Sequence, residues 1–207
     1  MVTASGSGRT AAGLIALIAW VGLAVQFGAV IELNRSVTET LWVMLRYFTI
    51  ITNLMAAVVL TGIALGKPAF GSPVLLGGLT ISMVFVGLIY VLFLRGLLEL
   101  SGGAQLANFI LHYVSPVLVL LFWLVFAPKR TQRNSNPLLW VIYPLAYGVY
   151  ALARGAVDGK YAYPFIDVAQ IGWPQAATNI LLMALSFLAA GFAMMWLDRV
   201  LGRHKLT

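Results

Sequence analysis

The sequence predicts an all-α membrane protein, a six transmembrane helix bundle, on three observations. Of its 207 residues, 61% are hydrophobic and only 9% charged, whereas a soluble domain is about 45–50% apolar and about 25% charged. A soluble chain so composed could not cover itself with polar surface, so lipid must be the solvent for much of its length. Six stretches reach the length of about 20 mostly apolar residues that a spanning helix needs. Between them the sequence switches to turn-forming and polar residues.

The first stretch, Ala11–Leu33, is longer than a secretory signal core of about 7–15 residues. No small-x-small cleavage site follows it, so it is expected to remain as a span. Asn34-Arg35-Ser36 separates it from the second, Leu41–Leu65. Gly66-Lys67-Pro68 through Gly71-Ser72-Pro73 precedes Val74–Leu94, and Ser101-Gly102-Gly103 precedes Ala104–Ala127. Pro128 through Asn136 leads into Pro137–Val157, where Pro144 is expected to kink the helix and Arg154 lies near the end. The longest connection, Asp158 to Gln175, leads to Thr178–Leu197. With no repeat, heptad pattern or low-complexity linker, residues 1–207 are expected to form a single six-helix transmembrane domain.

Charge sets the expected orientation. The side with the termini carries Arg9, Lys67, Lys129, Arg130, Arg133, Arg199, Arg203 and Lys205, eight basic residues. The opposite side carries five, Arg35, Arg46, Arg95, Arg154 and Lys160, and also Glu32, Glu39, Glu99, Asp158 and Asp167. The positive-inside rule then puts both termini in the cytoplasm, and the expected location is the plasma (inner) membrane. The net charge of +7 sits at helix ends and in short loops, which fits anionic headgroups and gives no nucleic-acid surface. With no cysteine, disulfides, thiolate catalysis and cysteine-based metal sites are excluded.

Polar side chains inside a span are costly, and a cluster of them points to function. On a continuous second helix Arg46 and Asn53 would lie within about 20° of each other, flanked by Thr49 and Thr52. Gln105, Asn108, His112 and Ser115, spaced three, four and three apart, share a face of the fourth. Thr49 and His112 are each eight residues into their stretches, about 12 Å at 1.5 Å per residue. A hydroxyl and an imidazole at equal depth match an alcohol nucleophile and its general base. The plain alternatives are that the threonines bond their own i−4 carbonyls, that the histidine packs, and that the amides join helices. No carboxylate lies deep in a span, so His112 must be oriented by a neutral group or by a loop acid, Asp158 or Asp167. Tyr143, Tyr147, Tyr150 and Arg154 share a face of the fifth helix, either as a third part of the site or as an interface-seeking stripe.

Arg46-Tyr47-Phe48-Thr49, Ile89-Tyr90, Asn108 through His112, and Tyr163-Pro164-Phe165 occur in that order. Together they resemble the androgen-induced protein and androgen-dependent TFPI-regulating protein family. Those are multi-pass membrane hydrolases that use an intramembrane Thr and His on fatty acid esters of hydroxy fatty acids. The similarity runs from about the second helix to the sixth, and the chain looks like a bacterial-type member. It implies that Thr49 is the nucleophile and His112 the base. Loops shorter than the animal proteins' leave substrate preference less transferable than the pair.

The expected function is therefore an intramembrane lipid ester hydrolase. Asn53 or Asn108 would supply the oxyanion donor, and Arg46 and Tyr90 complete the set of substrate-binding or oxyanion residues. Membrane lipids serve as both substrate and solvent, and neither cofactor nor metal is required. The rival readings are a small transporter, against which the sequence shows no internal repeat or paired broken helices of alternating access, a non-catalytic scaffold, and a haem carrier. The last needs axial ligands, and His112 is the only histidine within a span.

Overall fold

The computed structural model describes residues 5–34 and 36–203, and within them every regular element is a helix. Five helical stretches are long and apolar enough to cross a membrane: Gly6–Leu33, Pro73–Leu94, Gly102–Phe126, Asn136–Asp158 and Val168–Gly202. A sixth is obtained if the bent pair Val37–Met44 and Phe48–Ala64 counts as one span. The chain clusters into two compact units, Met1–Thr131 and Gln132–Thr207. Of the residues that entered the charge and ligand arguments, Arg35, His204 and Lys205 lie outside the described residues.

In the first unit α1 (Gly6–Asn34) starts earlier than hydropathy suggests, because Ser5 Oγ accepts the Gly8 N–H at 3.2 Å and caps the helix. It packs along α3 (Phe48–Ala64) through small residues: Ala12, Ala16 and Ala19 of α1 and Ala56 and Ala57 of α3 are nearly or fully buried, and Ala19 shares a core cluster with Ala57. Lipid offers no hydrophobic drive for helix pairing, so close backbone approach through small side chains must supply dispersion contact instead. Two polar contacts add to it. Trp20 Nε1 donates to Thr61 Oγ1 at 3.2 Å, and Arg9 Nε donates to the Ala64 carbonyl at 3.0 Å. The second puts a cation at the negative end of α3.

The second stretch departs from expectation. It is not one helix over Leu41–Leu65 but α2 (Val37–Met44) and α3, bent by 99°. Leu45 has ψ near zero (φ −67, ψ −3) and Tyr47 is extended (φ −95, ψ 132), which ends the helical register. The break falls at the single charge of this apolar run, and Arg46 is only 8% exposed. Arg46 therefore sits in a turn and does not share a helix face with Asn53, and the depth count from Leu41 to Thr49 does not apply.

The third span is α4 (Pro73–Ile89) continued by a π-turn, Tyr90–Leu94. The fourth is α5 (Gly102–Phe109), a π-turn Ile110–Val114, and α6 (Ser115–Phe126). Pro116 accounts for the second π-turn: it has no N–H for the turn before it, and its ring crowds the carbonyl four residues back, that of His112. α4 packs on α6 and α3, and the His112 π-turn packs on α1 and α3. Gly22 of α1 permits that approach, since a Cβ there would stand 2.7 Å from Ile110 Cγ2.

In the second unit α7 (Asn136–Trp140) and α8 (Ile142–Asp158) meet at Val141, and α9 spans Val168–Arg203. The helical pattern is interrupted there, one turn before Pro144, whose ring disfavours a helical carbonyl at Trp140. Gly159, in the left-handed region (φ 69), ends α8. α9 begins before Thr178 and is kinked at Gly172 (φ 75, ψ 162), so Pro174 lies in the first turn after the kink, where it lacks nothing a helix needs.

Candidate active site

Thr49 is the second residue of α3, and this position decides what its hydroxyl can do. Deeper in the spans, Thr61, Thr80 and Ser82 each donate to the carbonyl four residues back, at 2.7, 2.8 and 2.8 Å. That is the ordinary fate of a hydroxyl in a membrane helix. For Thr49 the residue four back is Leu45, which lies in the turn and not in the helix. Its hydroxyl instead meets His112: Thr49 Oγ1 and His112 Nε2 are 3.1 Å apart.

The other ring nitrogen fixes the roles. His112 Nδ1 lies 3.1 Å from the main-chain carbonyl of Asn108. A carbonyl can only accept, so Nδ1 carries the proton and Nε2 presents its lone pair to the Thr49 O–H. The orienting group is thus neutral, and neither loop acid serves. Asp167 accepts from Ala169 N and Gln170 Nε2 at the start of α9, and Asp158 lies 3.7 Å from Arg154. A carbonyl in the histidine's own helix orients the ring without the desolvation that a buried carboxylate would require.

Tyr90, the first residue of the other π-turn, stacks on His112 with ring centroids 4.1 Å apart and planes at 28°. Asn108 Nδ2 donates to Tyr90 Oη at 2.6 Å, which leaves the phenolic hydrogen for another acceptor. Asn53 is placed differently from expectation. Its Nδ2 donates to the Thr49 carbonyl at 2.9 Å and to the Leu111 carbonyl at 3.1 Å. Both hydrogens are committed, so Asn53 has none left for an oxyanion. In the first turn of α3 the Ile50 and Ile51 N–H groups donate to the Tyr47 carbonyl at 3.1 and 3.2 Å.

Among the remaining sequence candidates, Arg46 is in the turn three residues before Thr49 and Ser115 is fully buried. Gln105 is exposed, although it shares the sequence spacing of Asn108 and His112. The tyrosine face belongs to the second unit, where Arg154 Nη1 donates to Tyr150 Oη at 2.7 Å. Tyr163 and Phe165 stack in that unit at 5.0 Å, and the Phe165 carbonyl accepts from Asn179 Nδ2 at 2.8 Å.

Sequence reasoning missed a groove whose lining includes Ile50, the residue after Thr49, but neither member of the pair. It has a volume of about 390 Å³ and is lined by apolar side chains of α1, α2 and α3, among them Ala24, Phe27, Leu41, Met44, Ile50 and Leu54. Only the bend at 45–47 brings α2 over α1 to form it, and no Pro or Gly in that segment announces the bend. The lone Arg46 within an apolar run was the available signal. No protein-family model matches the chain, and no curated protein or solved structure matches it.

Proposed function

We propose that the protein is an intramembrane lipid ester hydrolase in which Thr49 is the nucleophile and His112 the general base. The observation that carries the proposal is the 3.1 Å Thr49 Oγ1–His112 Nε2 contact, made by a threonine without a helical carbonyl at i−4. Thr49 Oγ attacks the acyl carbon as its proton passes to Nε2, and the imidazolium is steadied by Nδ1–H on the Asn108 carbonyl. The tetrahedral intermediate collapses, and the leaving alkoxide takes the proton from Nε2 and departs as an alcohol. Water, deprotonated by the same nitrogen, then hydrolyses the acyl-threonine to the free acid. The Tyr90 O–H is the proposed oxyanion donor. Asn108 acts by holding Tyr90.

The apolar groove at Ile50 suits an acyl chain entering sideways from the bilayer. Fatty acid esters of hydroxy fatty acids are the substrate class that the family resemblance suggests, and Arg46 stays in the proposed substrate-binding set. Both termini are proposed to face the cytoplasm, from the basic-residue count. A helix broken within the membrane also occurs in transporters, and covalent labelling separates the two readings. A fluorophosphonate should modify the purified protein at Thr49. Thr49→Ala should abolish both labelling and hydrolysis of a long-chain ester, and His112→Ala should lower them about 100-fold or more. Thr52→Ala should keep activity close to wild type. Equal hydrolysis by all three variants would place the activity elsewhere, and an unreactive wild type would favour the transporter or scaffold.

A further inference from the structure

We propose that Asn53 is a positioning residue, a clamp that sets the distance between Thr49 and His112. The proposal rests on the hydrolase reading. One amide nitrogen bonds the main chain of the nucleophile and the main chain of the residue immediately before the base, at 2.9 and 3.1 Å. Asn53 is 0% exposed, one turn below Thr49 in α3. The catalytic side chains come from two helices, so their 3.1 Å contact holds only while α3 and the π-turn keep their separation.

The π-turn makes the second bond available. In an α-helix the Leu111 carbonyl would take the Ser115 N–H, but that N–H bonds the Ile110 carbonyl. In a π-register it would take the N–H of residue 116, which is proline and has none. The Leu111 carbonyl is therefore left by its own helix and is filled from α3 by Asn53. The Leu111 side chain is 1% exposed and packs with Ala19, Leu23, Met44 and Ile50, so the clamp ties the pair to the core of the unit.

For stability the asparagine brings a cost as well as the bond to the Leu111 carbonyl. Its Oδ1 is buried with no hydrogen-bond partner, and a buried unmatched acceptor is destabilising. Leucine has a similar shape and no such atom. What leucine cannot do is hold two carbonyls on different helices at once.

The test is a double-mutant cycle on the full-length protein in detergent, read as the rate of fluorophosphonate labelling per folded molecule. Asn53→Leu should slow labelling about 100-fold, the scale expected of an ångström-size misplacement. In a His112→Ala background the same change should cost no more than about twofold, because the alignment it protects is already lost. Full and independent losses in both backgrounds would overturn the proposal. Asn53→Ser has one hydrogen and can keep only one of the two bonds, so it should also slow labelling, and wild-type labelling by a folded Ser variant would equally overturn it.

A second readout needs no reactivity. The chain has two histidines, so ¹⁵N-histidine spectra can be assigned with His204→Gln. Thr49→Val and Asn53→Leu should move the His112 Nε2 resonance alike, since both remove the threonine hydrogen bond. An unmoved resonance in Asn53→Leu overturns the clamp. A wild type that never reacts, but whose Nε2 resonance moves in Asn53→Leu, sinks the hydrolase reading and leaves the clamp standing.

Discussion

A threonine hydroxyl one turn deeper in α3 would have its own backbone to bond, as Thr61 does. Thr49 is different because of where the helix begins, and a chain reading of residue types cannot see that. The spacing of Asn108 and His112 was legible, and so was the meeting of a hydroxyl with an imidazole. What each amide does was not legible, since Asn53 and Asn108 are alike in sequence and opposite in use. Asn53 bonds two main-chain carbonyls, while Asn108 bonds a phenol. The Tyr90 hydroxyl can therefore be tested separately from its ring. Tyr90→Phe keeps the 4.1 Å stack on His112 and removes only the O–H. It should lower kcat for ester hydrolysis about 100-fold, the scale of one lost oxyanion donor, with KM and thermal stability near wild type. An unchanged kcat would remove Tyr90 from the proposed oxyanion site.

At the scale of elements, site residues lie where helices stop being regular. Thr49 follows the bend at 45–47, Tyr90 opens one π-turn and His112 sits inside the other. Irregular backbone in a membrane is tolerated where protein satisfies the freed groups, and the Leu111 carbonyl shows how that is done. Pro116 makes this testable. Pro116→Ala restores an N–H and relieves the crowding at the His112 carbonyl, so the turn should relax toward α-helical register. The Tm in detergent should hold or rise while ester hydrolysis falls about 100-fold as His112 swings from Thr49. Activity retained together with raised stability would show that the π-turn is not needed to place His112 in its proposed role. That residue 116 is a proline was visible in the sequence. The direction in which the turn yields was not, because it depends on α1 and α3 packed against it.

For the whole molecule, orientation is the quantity that charge predicts. With eight basic residues on the side of the termini and five on the other, a reporter fused after Thr207 should be active in the cytoplasm. Activity only on the far side would reverse the orientation. The sequence by itself determined the helical class and the apolar stretches, since both follow from composition and run length, which are properties of the chain alone. It also determined that a threonine and a histidine were worth bringing together. Only the tertiary structure decided that the second stretch breaks at Arg46, that α2 folds back over α1 to form the groove, and that a main-chain carbonyl orients His112. Each of those depends on which neighbour satisfies a backbone or charged group. Hydrogen-bond demand in lipid is met between elements distant in sequence, and no local pattern records the partner.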